Sequence, residues 1–501
     1  MTALPIPPAG RKALVLGLGR FGGGTAAARF LHRRGAAIRI ADRSSGPDLD
    51  HSRQSLQDLA GVDWQLGRED EDLLAGIDLL VVNPAIPDQH PLLAAARRRG
   101  IELTQEVSLF LAHYPGRVVA VTGTNGKSST STMLHAALLR AGIDALLGGN
   151  IGHSLLEDEG RWHRDQIAVL EISSFQLDRV DPHRHTVFGA VLTRMGKDHV
   201  DRHGSLESYH RAKSILPAIA TAFCVHCGDD AVASAFATPA PRFAYANAAL
   251  AHATAGIPNG AGIDHGWLAV RLDDRAPVRL VHSEAMAVLG DFQRENALAA
   301  GLAATLLGAS AHGIGLALAN MAPLPFRLQL LAVLGGVRIY DNGVSTEIES
   351  TRSALRNLTG PLHWVAGGKS KDGDYGLVAR EAAPYIASAH VFGTAAAPLC
   401  EQLSALARPV ETTAHERLPA ALDAAFAACE PGSALLFSPG FASFDQYPNF
   451  RARALEFHAW VAAKRQLQLA GLPLRTAGMP PRLSGTTTSA APREHDRASE
   501  G

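Results

Sequence analysis

The sequence predicts an α/β protein of three consecutive domains: a Rossmann-like N-terminal domain, a central P-loop ATPase-type domain built on a parallel sheet, and a C-terminal Rossmann-like α/β domain. Three observations predict it. Short apolar runs alternate with turn glycines and alanine-rich helical stretches along most of the chain. Two of the strand-to-helix junctions carry glycine patterns suited to phosphate, GLGRFG from Gly17 to Gly22 and VTGTNGKSST from Val121 to Thr130. The chain has 501 residues, 47% hydrophobic and 19% charged, which is ordinary globular material too long for a single core.

The elements follow in order. ALVLGLG reads as a strand and TAAARFLHRRG as the helix after it; AIRIAD is the next strand, closing on Asp42, and IDLLVVNPAIP with PLLAAARRRG repeats the pattern. HYPG at His113 breaks the chain before a fresh strand, RVVAVTGTNG, and the helix KSSTSTMLHAALLRAG. Between Glu295 and Arg327 no residue is formally charged, yet Asn296, Ser310, His312, Asn320 and Pro323 interrupt the run, so it reads as two buried helices joined at AHG and not as a membrane span. Prolines in MAPLPFR, near Met321, end that region. A third unit runs through LHWVAGGKS, AHVFGTA and SALLFSPG to a helix ending around Gln468. The expected domains are therefore 1–113, 114–321 and 322–470, with a disordered tail over 471–501 that has almost nothing to bury.

Composition narrows the partners. A formal net charge of -1 gives no electrostatic case for nucleic acid or an anionic membrane, which leaves small solutes. Four cysteines are too few for a disulfide scaffold, and the N-terminus has no apolar segment behind a basic start, so a cytoplasmic protein is expected. Cys224 and Cys227 form a lone CxxC without a second pair at zinc spacing, and read as the buried end of a strand.

A phosphate loop needs backbone N–H groups converging at a helix N-terminus, a lysine to spread over the β and γ phosphates, and a hydroxyl for magnesium. Here Gly123, Thr124, Asn125 and Gly126 form the turn, Lys127 is the cation, Ser128 the metal hydroxyl, and Ser129 continues the helix. The usual first glycine, five positions before Gly126, is replaced by Val121. At the start of the chain Gly17, Gly19 and Gly22 spell G-x-G-x-x-G, with Asp42 about twenty residues on, where an acid could meet a ribose. Alone this suggests a nicotinamide cofactor; with the second loop, either the chain is an unusual oxidoreductase or both substrates are nucleotides. Downstream, Glu171 ends an apolar strand in LEISSFQLD, and Asp198, His199, Asp201, Arg202, His203 and Lys213 crowd the stretch that follows. Carboxylate and imidazole at strand ends suit magnesium beside phosphates.

In this order TGTNGKSS, GGNIG, EISSFQL, DHVDRHGSLESYHRAK, LPFR and SPGFASFDQYPNFRARALEF resemble the Mur ligases of peptidoglycan synthesis, over roughly residues 10–470. The GxGxxG first domain with NPAIP, and the C-terminal SPGFASFDQYPNF, bring the resemblance nearest to the members that add glutamate to UDP-N-acetylmuramoyl-L-alanine. The resemblance implies an ATP-dependent, ADP-forming amide ligase. The substrate carboxylate takes the γ-phosphoryl group, and the glutamate amine then displaces phosphate from the acyl phosphate. It implies ATP and Mg(II) as cofactors, small-molecule partners, and a monomer with no nucleic acid and no membrane. It places Gly22, Asp42, Arg43, Ala85 and Asn150 at the uridine nucleotide, and Asn296, Arg327 and Asn342 with the P-loop at ATP. Thr346, Lys371, Ser443 and Phe450 fall at the amino acid, and Ser128, Glu171, His199 and a carbamylated Lys213 at the metals. Lys127, Glu171, His199 and Lys213 carry the catalysis. Since Arg327 and Lys371 lie beyond Met321, the third domain is expected to close over ATP.

The chain departs from the family pattern in places. Phe292 and Gln293 stand for a His-Asn pair, and LPFR for LPHR. In RIYDNGVSTEIEST, Asp341 falls on the family's asparagine, Asn342 on its aspartate and Val344 on its lysine, so acid and amide have exchanged places and a cation is missing. Side chains alternate faces along a strand, so Asp341 should point away from the family position. The resemblance makes D-glutamate the expected acceptor; L-glutamate, or another acceptor, is the alternative these changes leave open. From other classes, a nicotinamide oxidoreductase would leave the P-loop idle, and a regulator without catalysis would not need Lys127, Glu171, His199 and Lys213 together.

Overall fold

The computed structural model describes residues 9–474 apart from 20–21, 255–258, 274, 289, 347 and 371–372. The expected tail beyond 474 and the site residue Lys371 lie outside the described residues. The chain divides between Ala322 and Pro323 into two compact units.

The first unit carries two sheets. Strands β1 (Lys12–Leu16), β2 (Ala37–Asp42), β3 (Asp63–Leu66), β4 (Leu79–Val82) and β5 (Glu102–Thr104) pair in the order β3-β2-β1-β4-β5, all parallel. Residues such as Leu14, Val15, Leu80 and Val81 are buried, as a sheet covered on both faces requires. The chain leaves β1 toward β2 on one side and reaches β4 on the other, so the turns after β1 and β4 flank the switch point where such sheets bind ligands.

The second sheet holds β6 (Arg117–Thr122), β7 (Ala145–Gly149), β8 (Ile167–Glu171), β9 (Val187–Leu192), β10 (Ala220–Cys227), β11 (Arg242–Ala249), β12 (Gly260–Asp264), β13 (Trp267–Arg271) and β14 (Val278–His282), in the order β14-β13-β12-β11-β10-β9-β6-β8-β7. The strands from β7 through β12 are parallel; β13 and β14 are antiparallel additions that the repeating strand-helix grammar did not announce. Cys224 and Cys227 are buried free thiols in β10.

Against this sheet pack the helices Lys127–Arg140, Asp291–Leu306 and Ala311–Ala319, the last two carrying the uncharged run from Asn296 onward. They part at Leu307–Ser310 and not at AHG. Gly308 takes φ 89 there, and Ser310 caps the second helix by accepting from Gly313 N, so Ala311 to Gly313 are already its first turn. Among the described residues no helix is long and apolar enough to cross a membrane.

In the second unit β15 (Gln329–Leu334), β16 (Val337–Asp341), β17 (Leu362–Gly367), β18 (Ser388–Phe392), β19 (Glu411–His415) and β20 (Ala434–Gly440) pair as β15-β16-β20-β17-β18-β19, parallel except for the β15–β16 hairpin. The helix Phe450–Leu469 packs Ala454 and Phe457 against the sheet. A polar ladder crosses one sheet face. His363 Nδ1 meets Ser388 Oγ at 2.8 Å, Ser388 Oγ meets His390 Nε2 at 2.8 Å, His390 Nδ1 meets Thr413 Oγ1 at 2.7 Å, and Thr413 Oγ1 meets His415 Nε2 at 2.8 Å. Burial, with the neighbouring His363 and His415, pushes His390 down to about 3, so its ring is neutral.

Candidate active site

The register of the second sheet assembles the site. β6 lies between β8 and β9, with Val121 opposite Glu171 and Thr122 opposite Leu192, so the P-loop, Glu171 and Thr193 emerge side by side at the strand ends. Thr122 Oγ1 donates to Ile172 O at 2.9 Å, which fastens the loop's entry without the missing upstream glycine. A Cβ on Gly123 would fall 1.8 Å from Thr193 Oγ1, and that hydroxyl donates to Asn125 O at 2.6 Å. Gly126 caps the Lys127–Arg140 helix at φ 89, and a Cβ there would stand 2.2 Å from Asn296 Oδ1. The loop can bend only because both positions lack a side chain.

Thr124 joins the loop to the stretch after β9: its N–H donates to Arg194 O at 2.8 Å, and its hydroxyl lies 3.0 Å from the Tyr209 hydroxyl. Thr193 and Tyr209 are thus part of the site without having been assigned a role from sequence. The signal for Tyr209 was its place inside SYHRAK; Thr193 directly follows the apolar strand β9, while Thr122 is the last residue of β6.

Lys127 Nζ donates to Gly123 O at 3.0 Å and Thr124 O at 2.8 Å, curled over the loop it serves. Lys213 is 1% exposed and donates to Gly123 O at 2.7 Å and Thr122 Oγ1 at 3.3 Å. Burial first, and then the charge of Lys127, holds its ammonium well below the ordinary lysine range. Glu171 is buried; Asn150 Nδ2 donates to its Oε1 at 3.0 Å, while its Oε2 has no hydrogen-bond partner. An orphaned buried carboxylate oxygen beside a phosphate loop fits a hard cation. His199 is exposed with φ 50; its ring lies 3.2 Å from Asp198 and 4.8 Å from the Phe175 centroid. Among the described residues no three His, Cys, Asp or Glu side chains are placed to hold a metal by themselves. Ser128 heads the helix, half-buried, and Ser129 is buried behind it.

On the first sheet, Gly22 caps the helix Gly23–Arg33 at φ 84, and Asp42 holds the glycine turn, accepting from Leu18 N and Ser44 N at 2.9 Å each. Arg43 and Ala85 are exposed at the same end of the sheet. Asn83 fills the space left by Gly17 and Gly19, and its Oδ1 accepts from Ala85 N at 2.9 Å.

In the second unit, Asp341 turns toward the helix Phe450–Leu469, where His458 Nε2 lies 2.6 Å from its carboxylate, while Asn342 donates to Ser438 Oγ at 3.0 Å and approaches Ser350. The two point apart, as alternation along a strand requires. Arg453 is fully buried and donates to Gly367 O, Phe441 O and Ser345 O at 2.9–3.2 Å, binding together the turns around the expected amino-acid residues Thr346, Ser443 and Phe450. Ser443 is buried, Thr346 and Val344 are half-buried, Arg327 is half-buried near the start of the unit, and Phe450 begins the long helix.

The chain belongs to the Mur ligase family: the Mur ligase middle domain matches residues 121–304, and the Mur ligase MurD-like N-terminal domain matches residues 11–105. Among curated relatives, the UDP-N-acetylmuramoylalanine–D-glutamate ligase of Acidobacterium capsulatum is 33% identical over 462 residues, covering 91% of this chain and 97% of that one. That of Desulfatibacillum aliphaticivorans is 31% identical over 450 residues, 89% of this chain and 97% of that one. The fold is shared with the UDP-N-acetylmuramate–alanine ligase of Thermotoga maritima (TM-score 0.58, 15% identity, 90% of this chain and 99% of that one). It is shared too with MurF of Acinetobacter baumannii (TM-score 0.55, 16% identity, 91% and 93%).

Proposed function

We propose that this chain is an ATP-dependent, ADP-forming ligase that joins glutamate, D-glutamate by the names of its relatives, to the carboxylate of UDP-N-acetylmuramoyl-L-alanine in peptidoglycan precursor synthesis. The observation that carries it is a phosphate loop that gathers Lys127 from the helix it opens, the buried Lys213 from the helix Leu206–Ala218 and a partnerless carboxylate oxygen of Glu171 from the neighbouring strand, in a chain alignable over 97% of a D-glutamate-adding relative.

In this reading residues 1–113 take the uridine nucleotide through Gly22, Asp42, Arg43 and Ala85, helped by Asn150, and residues 114–321 take ATP. Residues 322–470 supply Arg327 and Asn342 to ATP, and Thr346, Lys371, Ser443 and Phe450 to the amino acid. The P-loop amides cradle the phosphates and Lys127 leaves the carbonyls of Gly123 and Thr124 to meet them. The substrate carboxylate attacks the γ phosphorus and releases ADP; the glutamate amine then attacks the acyl phosphate and expels phosphate. Ser128, Glu171, His199 and Lys213 would hold magnesium, which when bound supplies neutralisation of the phosphate charge. Burial that disfavours the Lys213 ammonium favours the neutral amine, which is the form that adds carbon dioxide, and the resulting carbamate would give Lys213 a carboxylate-like oxygen in place of a repelling cation. The protein acts as a cytoplasmic monomer on small molecules.

The test is phosphate release from ATP and magnesium with UDP-N-acetylmuramoyl-L-alanine and either enantiomer of glutamate. Turnover with D-glutamate supports the reading. Turnover with L-glutamate alone moves the specificity to the segment around Val344. Silence with both overturns the proposal.

A further inference from the structure

The loop Asn83–Asp88, which follows β4 at the switch point of the first sheet, is held from two sides. On its inner side Asn83 is wedged into the glycine turn: a Cβ on Gly19 would stand 2.5 Å from Asn83 Nδ2, and one on Gly17 3.0 Å from Asn83 Cβ. On its outer side the loop presents the carbonyls of Asn83, Pro84 and Ile86, and two arginines from the second sheet's connections take all three. Arg179 donates to Asn83 O at 2.9 Å and to Ile86 O, and pairs with Asp88 at 2.9 Å. Arg202 donates to Pro84 O and, at 3.1 Å, to Ile86 O.

Neither arginine is an isolated surface group. Arg179 follows the short helix Ser174–Leu177 just after Glu171, and Arg202 lies three residues beyond His199, to whose carbonyl its own N–H donates at 3.1 Å. The Arg202 guanidinium sits 4.2 Å over the Phe175 ring; that ring stacks on His203 at 5.1 Å and meets His199 at 4.8 Å. One contiguous set of contacts therefore runs from the loop bearing Ala85 to the imidazole of His199. A planar fork is suited to gripping several carbonyls in fixed directions, as a lysine ammonium is not.

We propose that Arg179 and Arg202 are positioning residues that fasten the uridine-nucleotide loop Asn83–Asp88 to the phosphoryl-transfer site, so that seating the nucleotide sugar and setting His199 are one event. This rests on the ligase reading above. Neither residue touches the reacting atoms; both act by fixing the loop's carbonyls, and Arg202 also acts on the histidine through Phe175.

The experiment compares wild type with Arg202→Met, Arg202→Lys, Arg179→Met and, as a control, Arg211→Ala, which lines one cleft with Phe175, Arg179 and Arg202 but bonds to Ser208 and not to the loop. Steady-state phosphate release is measured against each substrate, with amide hydrogen exchange over residues 83–88. The arginine variants are expected to raise KM for the uridine substrate about tenfold or more with KM for ATP within about twofold, and to speed exchange at Ala85 and Ile86. Arg202→Lys should not rescue, and Arg211→Ala should match wild type. Unchanged uridine KM, equal rises in both KM values, or rescue by lysine would overturn the inference. If a variant is too unstable to assay, exchange in the lysine variant decides, because protection equal to wild type at residues 83–88 overturns it too. An inactive wild type would instead sink the ligase reading, and the exchange measurement would still judge whether the arginines hold the loop.

Discussion

Asp341 and His458 stand 2.6 Å apart, a fully buried carboxylate against an imidazole carried by the long helix of the second unit. The other Asp341 oxygen accepts from Gly343 N at 2.8 Å, so the pair sets the turn that leads to Val344. His458→Ala should leave that carboxylate buried with one partner fewer and cost roughly 2–4 kcal/mol in denaturant unfolding of the second unit. Asp341→Asn in the same background should recover part of it. A loss below about 0.5 kcal/mol would show that the pair holds nothing.

Lys127→Ala should lower phosphate release by about a thousandfold or more, since no other side chain of the loop offers a cation to the transferred group. Binding of the uridine substrate, measured by titration calorimetry without ATP, should change less than about twofold. Loss of both would mean that the two nucleotide sites are assigned to the wrong sheets.

Gly123→Ala should remove nucleotide binding with little change elsewhere, because the added Cβ would collide with Thr193 Oγ1 at 1.8 Å. Thr193→Val, which keeps the shape and loses the bond to Asn125 O, should raise KM for ATP several-fold while kcat falls less. Ordinary ATP affinity in the Gly123→Ala enzyme would contradict the close packing described for the loop.

Glu106 gives the first unit a pH dependence of defined sign. Its carboxyl accepts a hydrogen bond from Ser154, and burial, the larger effect, pushes it up from 4.5 to about 7. The folded state therefore keeps a proton that the unfolded chain loses. Its stabilising contribution is full below about 4.5 and is lost as pH rises to about 7. The side chain keeps some solvent contact, so the slope should be a fraction of the roughly 1.4 kcal/mol per pH unit of a fully shifted proton. Glu106→Gln should flatten Tm against pH between 5 and 8; an unchanged profile would assign the dependence elsewhere.

What the sequence disclosed follows the range of the forces involved. Strand, glycine turn and helix are local, so the Lys127–Arg140 helix and the end of β8 at Glu171 were readable from spacing and apolar runs. The same local reading misplaced the helix break at AHG, because a capping serine and the glycine at Gly308 decide it and alanine runs carry no boundary of their own. Thr193, Tyr209 and Arg179 were not assigned to the site from sequence, and Arg202 was noticed only as one of the charged residues around His199, not as a residue that holds the loop Asn83–Asp88. Each acts on a segment between 68 and 118 residues away, through contacts that the sheet order alone brings about. The exchange of Asp341 and Asn342 was visible as an anomaly. Its accommodation was not, since His458 lies 117 positions further on.

The ladder from His363 to His415 has a consequence for where protons sit. Neutral His390 owns one N–H and one lone pair, and both its nitrogens are engaged, so it gives to one hydroxyl and takes from the other. If Ser388 gives its proton to His390 Nε2, His363 must give one to Ser388 from Nδ1, and Thr413, already receiving from His390 Nδ1, sends its own to His415 Nε2. All three rings are then Nδ1–H tautomers; with the direction reversed all three are Nε2–H. Three imidazoles on three strands thus share one polarity, which can invert only by moving every proton of the ladder in concert.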